Sequence, residues 1–223
     1  MLQSILHKST LAVVLLASLI ALTGCSSAKY NLMESFGYQK RDVLVSRVEK
    51  ARDAQEDAKQ QFRSSLEKFM SVVGTPPSEL QTTYESLRNE YDRSTARAKA
   101  VRSRIESVED VGEALFKEWQ SELDQYKTPS LRAQSEAQLR QTRQHYDQLI
   151  AAMKNAESKM QPVLDRFSDQ VLYLKHNLNA QAIASLQGTS AQLQSEIQTL
   201  IADMEKSIAQ ANAFIEQMTK TTE

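Results

Sequence analysis

Cysteine occurs once in the 223 residues, at Cys25, so no intrachain disulfide can brace this chain and its stability has to come from packing. Five glycines and four prolines leave room for only a handful of chain reversals, which excludes architectures built from many short elements. A formal net charge of −1 supplies no bulk field to recruit nucleic acid or an acidic surface. Familiar catalytic and metal-binding motifs are missing as well. There is no Gly-rich phosphate loop, no H-E-x-x-H and no serine-nucleophile elbow. The residues three before His145 and His176 are Thr142 and Tyr173 rather than glutamate, so the Glu-x-x-His device of di-metal bundles is lacking. The expectation is a protein that is not an enzyme, holds no metal or cofactor and binds no nucleic acid.

What is present begins with an apolar run, Leu11 to Leu22, preceded by Lys8. It is short for a bilayer span and the right length for the h-region of a secretion signal. The residues closing it, Leu22-Thr23-Gly24-Cys25, resemble a bacterial lipobox. That resemblance implies lipid attachment to the Cys25 sulfur, cleavage before Cys25 and acylation of the new amino terminus. Several acyl chains at ~0.8 kcal/mol per buried methylene hold a protein on a membrane, which one chain does not. Ser26 stands where an Asp would retain a lipoprotein at the inner membrane, so the resemblance further implies the outer membrane, on its periplasmic face. The chain thus divides into a signal peptide (1–24), a lipidated terminus and linker (25–29) and a single domain (30–223).

Within the domain, apolar residues recur at alternating spacings of four and three. One seam runs through Leu80, Tyr84, Leu87, Tyr91, Ser94, Ala98, Val101, Ile105, Val108, Gly112, Leu115 and Trp119, then Glu122 or Leu123, to Tyr126. A strand would show period two; this is the a/d pattern of long helices packed side by side. A stripe from Leu44 to Val73 precedes it, one from Leu139 to Leu174 follows, and a fourth runs from Leu186 through Ile197, Met204 and Ile215 to Met218. The fold class is therefore all-α, an elongated antiparallel bundle or coiled coil of four long helices.

Breakers set the boundaries. Gly74 to Glu79, "GTPPSE", ends the first helix. At "KTPSL" the Thr128 hydroxyl is expected to cap a helix whose first position is Pro129. The last break falls at Asn177–Asn179 or at Gly188, and commensurate helix lengths favour the former. Pro162 should kink the third helix. Charge supports antiparallel pairing, because Arg93 to Arg104 would face Glu49 to Asp57, and Glu106 to Asp124 would face Arg132, Arg140 and Arg143. His145 is expected to pair with a carboxylate, His176 to cap a helix end, and Trp119 to anchor the core. Ser94 and Gly112 either thin the core or leave a gap for a larger side chain.

The blocks "FGYQKRD", "RVEKARDAQEDAKQQF", "VEDVGEALFKEW" and "LKHNLNAQAIASLQG" resemble a family of proteobacterial lipoproteins catalogued only as a domain of unknown function, over essentially the whole mature chain. The resemblance implies a helical exported protein and no particular activity. Two stretches are candidates for contact with partners. From Gln170 to Gln194 the only charge is Lys175; the segment is either covered by the other helices or offers Val171, Leu172, Leu174, Leu178, Ile183 and Leu186 to a partner. Near the anchor, Tyr30, Leu32, Met33 and Phe36 with Lys40 and Arg41 suit an amphipathic helix on headgroups, or simply begin the bundle stripe. A structural or adaptor role toward an envelope protein is expected, and self-association is compatible with the long seams. The alternatives are a membrane-contacting or remodelling module and a ligand or metal carrier using a cavity near Ser94 or Gly112.

Overall fold

The computed structural model describes residues 39–72, 76–177 and 180–220. Helix α1 spans Lys40–Ser71, α2 Leu80–Glu122, α3 Pro129–Ser158, α4 Met160–His176 and α5 Ala180–Lys220. Short 3-10 turns, Pro77–Glu79 and Leu123–Gln125, stand at either end of α2. No strand occurs among the described residues. Helices α3 and α4 form one rod with a single-residue interruption at Lys159, whose backbone stays in the right-handed helical region. Pro162 explains the break: it has no N–H for the Ser158 carbonyl and its ring crowds that group.

Four rods result, each antiparallel to its sequence neighbours. Side-chain pairs give the register: Lys40–Glu118 and Asp57–Arg97 join α1 to α2, and Trp119–Ser135 and Arg102–Glu157 join α2 to the third rod. Lys159–Asp203 and Arg166–Glu196 join that rod to α5. Helix α5 closes the ring against α1 through Gln55–Ser207 and the Arg41 guanidinium, which donates to the Met218 carbonyl. The start of α1, the α2–α3 turn and the end of α5 therefore share one end of the bundle. At the other lie the α1–α2 and α4–α5 connections.

The core follows the heptad stripes closely along the first and third rods. Leu139, Tyr146, Met153, Met160, Phe167 and Leu174 are all buried, as are Leu44, Val48, Phe62 and Phe69; Val73 lies outside the described residues. Along α2 the buried face drifts. Leu87, Val101 and Val108 are buried on the strict seam, but further on Phe116 and Leu123 are inside while Leu115 is only partly covered and Tyr126 is 42% exposed. A nearly straight helix repeats every 3.6 residues rather than 3.5, so over six heptads the inward face advances by about one residue. On α5 the strict four-three spacing holds to the end: it passes from Ala211 to Phe214 and Met218, all buried, and leaves the neighbouring Ile215 only partly covered.

Boundary expectations divide. The last break is at Asn177, and Gly188 sits exposed within α5. Gly74 lies outside the described residues. At the start of α3 the Thr128 side chain makes no cap; its carbonyl accepts from the Arg132 N–H at 3.1 Å, and Pro129 opens the helix. Because Pro129 has no N–H, one fewer donor is left to cap.

Candidate functional site

Cys25, Tyr30, Leu32, Met33 and Phe36 lie outside the described residues. Lys40 and Arg41 are within them and face the bundle. Lys40 is 7% exposed with its ammonium 2.7 Å from Glu118, and Arg41 reaches the last turn of α5. Lys40 thus ties the start of α1 to the end of α2 and Arg41 ties it to the end of α5, so both cations are engaged within the bundle and the idea that they meet headgroups is corrected to that extent.

The weakly charged stretch is split by helical geometry. Val171, Leu174 and Leu186 are buried, so they are core rather than partner surface. Leu172 is 55% and Tyr173 39% exposed, on the outer side of α4. Leu178 lies outside the described residues, as does the side chain of Ile183. At this end of α4, Asn177 Nδ2 donates to the Tyr173 carbonyl at 2.9 Å, the capping role expected of His176. His145 Nδ1 pairs with the Gln217 amide oxygen of α5, not with a carboxylate.

The small residues on the α2 seam are both occupied from across the core. Tyr146 of α3 fills the space left by Gly112: a Cβ there would sit 2.5 Å from the ring Cζ and 2.6 Å from Cε2. Its hydroxyl points to the Val108 carbonyl at 3.4 Å, and its ring meets Phe116 edge-on at 5.1 Å and Phe214 at 6.3 Å. Burial, reinforced by Glu109 and Asp147, pushes the phenol pKa upward. Ser94 is fully buried and bonds Ser65 of α1 at 2.8 Å. Around them, Glu90 accepts from Gln61 at 2.6 Å and from Arg93 of its own helix. A second polar pair crosses the core where Ser207 donates to the Gln55 Oε1 at 2.8 Å, both residues being completely buried. The remaining Gln55 amide nitrogen has no hydrogen-bond partner.

Of the grooves that open on the surface, two contrast in their lining. The first, about 1200 Å³ between α2 and α3, is rich in charge: Glu109, Glu113, Lys117, Arg140, Arg143 and Asp147 line it. Arg140 and Arg143 lie beside the acidic half of α2 across this groove, as charge alone suggested, but Arg140 pairs with Glu136 of its own helix and Arg143 lies 5.3 Å from the centre of the Phe116 ring. Arg132 does, at 2.9 Å from Asp124. The second groove, between α3 and α5, is different in kind. Gln141, His145, Gln148, Ala152 and Asn155 line it on one side, and Asp203, Lys206, Gln210, Ala213 and Gln217 on the other, so the amides gather toward the end of α5 and the charges lie further along. These are positions at four-three spacing, one step off the core stripe, where long bundles usually carry charge. Their pattern was readable in the sequence, but only the pairing of α3 with α5 brings the two rows together.

These features define an all-α helical bundle. Among the described residues there is no group of three or more His, Cys, Asp and Glu placed to hold a metal ion, and no helix is long and apolar enough to cross a membrane. Residues 29–218 match the family described as "Protein of unknown function (DUF2959)", and the chain belongs to that family. No curated protein and no solved structure matches it.

Proposed function

We propose that this chain is a lipid-anchored helical adaptor, held at the periplasmic face of the outer membrane by Cys25 and presenting the far end of its bundle to an envelope protein. The observation that carries the reading is Leu22-Thr23-Gly24-Cys25 directly after the apolar run Leu11 to Leu22. The polarity of the bundle supports it. Helix α1 starts at Lys40, so the chain that follows Cys25 enters the bundle at the end formed by the α2–α3 turn and the last turn of α5. The opposite end then stands off by the length of α2, ~65 Å for its 43 residues at 1.5 Å each. Exposed Met70, Leu172 and Tyr173 lie in the last turns leading to that end, next to the segment with few charges. Such residues suit a partner contact remote from the membrane.

The test is fractionation of cells expressing the full chain with and without Cys25→Ala, together with fatty-acid labelling. The native chain should label and sediment with outer membranes, and the variant should do neither. A Cys25→Ala variant that still sediments with membranes would overturn the anchor. A photo-crosslinking residue at Tyr173 should capture a defined envelope protein, and one at Ser103 on α2 should not; equal capture from both positions argues against an adaptor tip.

A further inference from the structure

We infer that the α2–α3 turn is a second membrane contact, with Tyr126 and Leu131 seated among the lipid headgroups of the surface that holds the Cys25 anchor. The contact rests on the anchored reading above, and it fixes which way the bundle stands.

The large apolar side chains that stand exposed among the described residues divide between the two ends of the bundle. Met70, Leu172 and Tyr173 lie toward the far end, whereas Tyr126, 42% exposed, and Leu131, 51% exposed, flank the α2–α3 turn. That turn also projects. Lys40 is level with Glu118, and Arg41 with Met218, so α1 begins and α5 nears its end at one height. Helix α2 and the 3-10 turn after it run on to Gln125, and at 1.5 to 2.0 Å per residue this carries the chain about 10 Å past the start of α1. All residues from Asp124 to Gln134 are exposed. Residues 26–39 span at most about 50 Å when fully extended, so an anchor at Cys25 keeps this projecting end close to the bilayer.

The chemistry of the turn suits a boundary between water and lipid. Tyrosine joins an apolar ring to a polar tip, and leucine adds apolar area at the acyl boundary. Between Gln125 and Gln134 there is no acidic residue, while Lys127 and Arg132 are cations. Asp124, just before, is paired with Arg132 at 2.9 Å. Anionic headgroups therefore meet attraction along this stretch and no unpaired carboxylate in it. Pro129 opens α3 with its φ fixed by the ring, which stiffens the backbone that presents Leu131. Two half-exposed side chains hold a membrane weakly by themselves, so the contact forms where acylation already confines the chain. Seating this end leaves the exposed residues of the far end free for a protein partner.

The test uses the full acylated chain, purified from membranes and reconstituted in vesicles of phosphatidylethanolamine and phosphatidylglycerol. Acylation blocks the Cys25 thiol, so Ser130→Cys, Ser103→Cys or Lys175→Cys carries a single environment-sensitive fluorophore. The label at Ser130→Cys should emit to the blue and be quenched by nitroxide-bearing lipids, and the other two should be quenched by iodide in the water. Tyr126→Ser with Leu131→Ser should cut the lipid-quenched fraction at least about tenfold, as expected from losing two half-buried apolar side chains. Tyr126→Trp with Leu131→Phe should retain it, and unchanged circular dichroism in both pairs excludes misfolding. An acylated chain whose Ser130→Cys label is quenched only from the water overturns the contact and spares the anchor. Equal lipid quenching at Ser130→Cys and Ser103→Cys means a bundle lying flat and also overturns it. A chain with a free Cys25 thiol that stays off the vesicles refutes the anchor and the contact together, so the two failures are distinguishable.

Discussion

Gly112→Ala should destabilise this protein although alanine is the better helix former. At an unhindered helix interior the exchange gains about 1 kcal/mol, through reduced freedom of the unfolded chain. At position 112 the new methyl meets the Tyr146 ring at 2.5 to 2.6 Å. The ring has nowhere to retreat, because Phe116 and Phe214 flank it and burial of Tyr146 is nearly complete. Overpacking of that kind costs about 1–3 kcal/mol, and a ring wedged on both sides belongs at the upper end. The net expectation is a loss of about 2 kcal/mol. With a urea m-value of about 2–3 kcal/mol per molar, the midpoint followed by circular dichroism should fall by about 0.7–1 M. Gly188 is the internal control. An added Cβ there meets nothing within 4 Å, so Gly188→Ala should raise stability by about 1 kcal/mol. Combining Gly112→Ala with Tyr146→Leu should cost less than the two separate losses added together, since the clash is shared. A Gly112→Ala variant as stable as the parent would refute the claim that Tyr146 occupies this space.

Burial raises the Tyr146 pKa above its ordinary value of 10.0, so the folded state holds the phenolic proton longer than the unfolded one; this contribution to stability is intact below pH 10 and is lost as pH rises past it. Absorbance at 295 nm should show one of the seven tyrosines titrating last or together with unfolding, and Tyr146→Phe should abolish that late step. Ser207→Ala should cost about 1–3 kcal/mol in chemical denaturation, because Gln55 is then left buried with no partner for either amide atom. Gln55→Leu combined with Ser207→Ala should recover most of that loss, since no buried polar group remains unpaired.

Helix lengths, the antiparallel order and the inward stripes of the first and third rods were legible in the sequence because each depends on local chemistry: a repeat near 3.5 residues, and prolines or asparagines where the repeat lapses. Leu139 to Leu174 is the clearest case, with every stripe residue buried. Other features needed a second helix in place. Leu115 yields to Phe116 because the inward face rotates slowly along a long rod. Val171 and Leu172 are adjacent in sequence, yet one is core and the other surface. Polar partners were the least legible, since His145 could reach a carboxylate or an amide, and only the register of α3 against α5 selects Gln217.

By itself, then, the sequence determined that the chain forms long helices, where they turn and which edge of each seeks shelter, since periodicity and backbone breakers act within a few residues. Tertiary structure alone decided that Tyr146 fills the space at Gly112, that Ser94 finds Ser65, and that His145 of α3 finds Gln217 of α5. Those outcomes depend on the relative height and rotation of separate rods, which are fixed by the fit of side chains far apart in the chain.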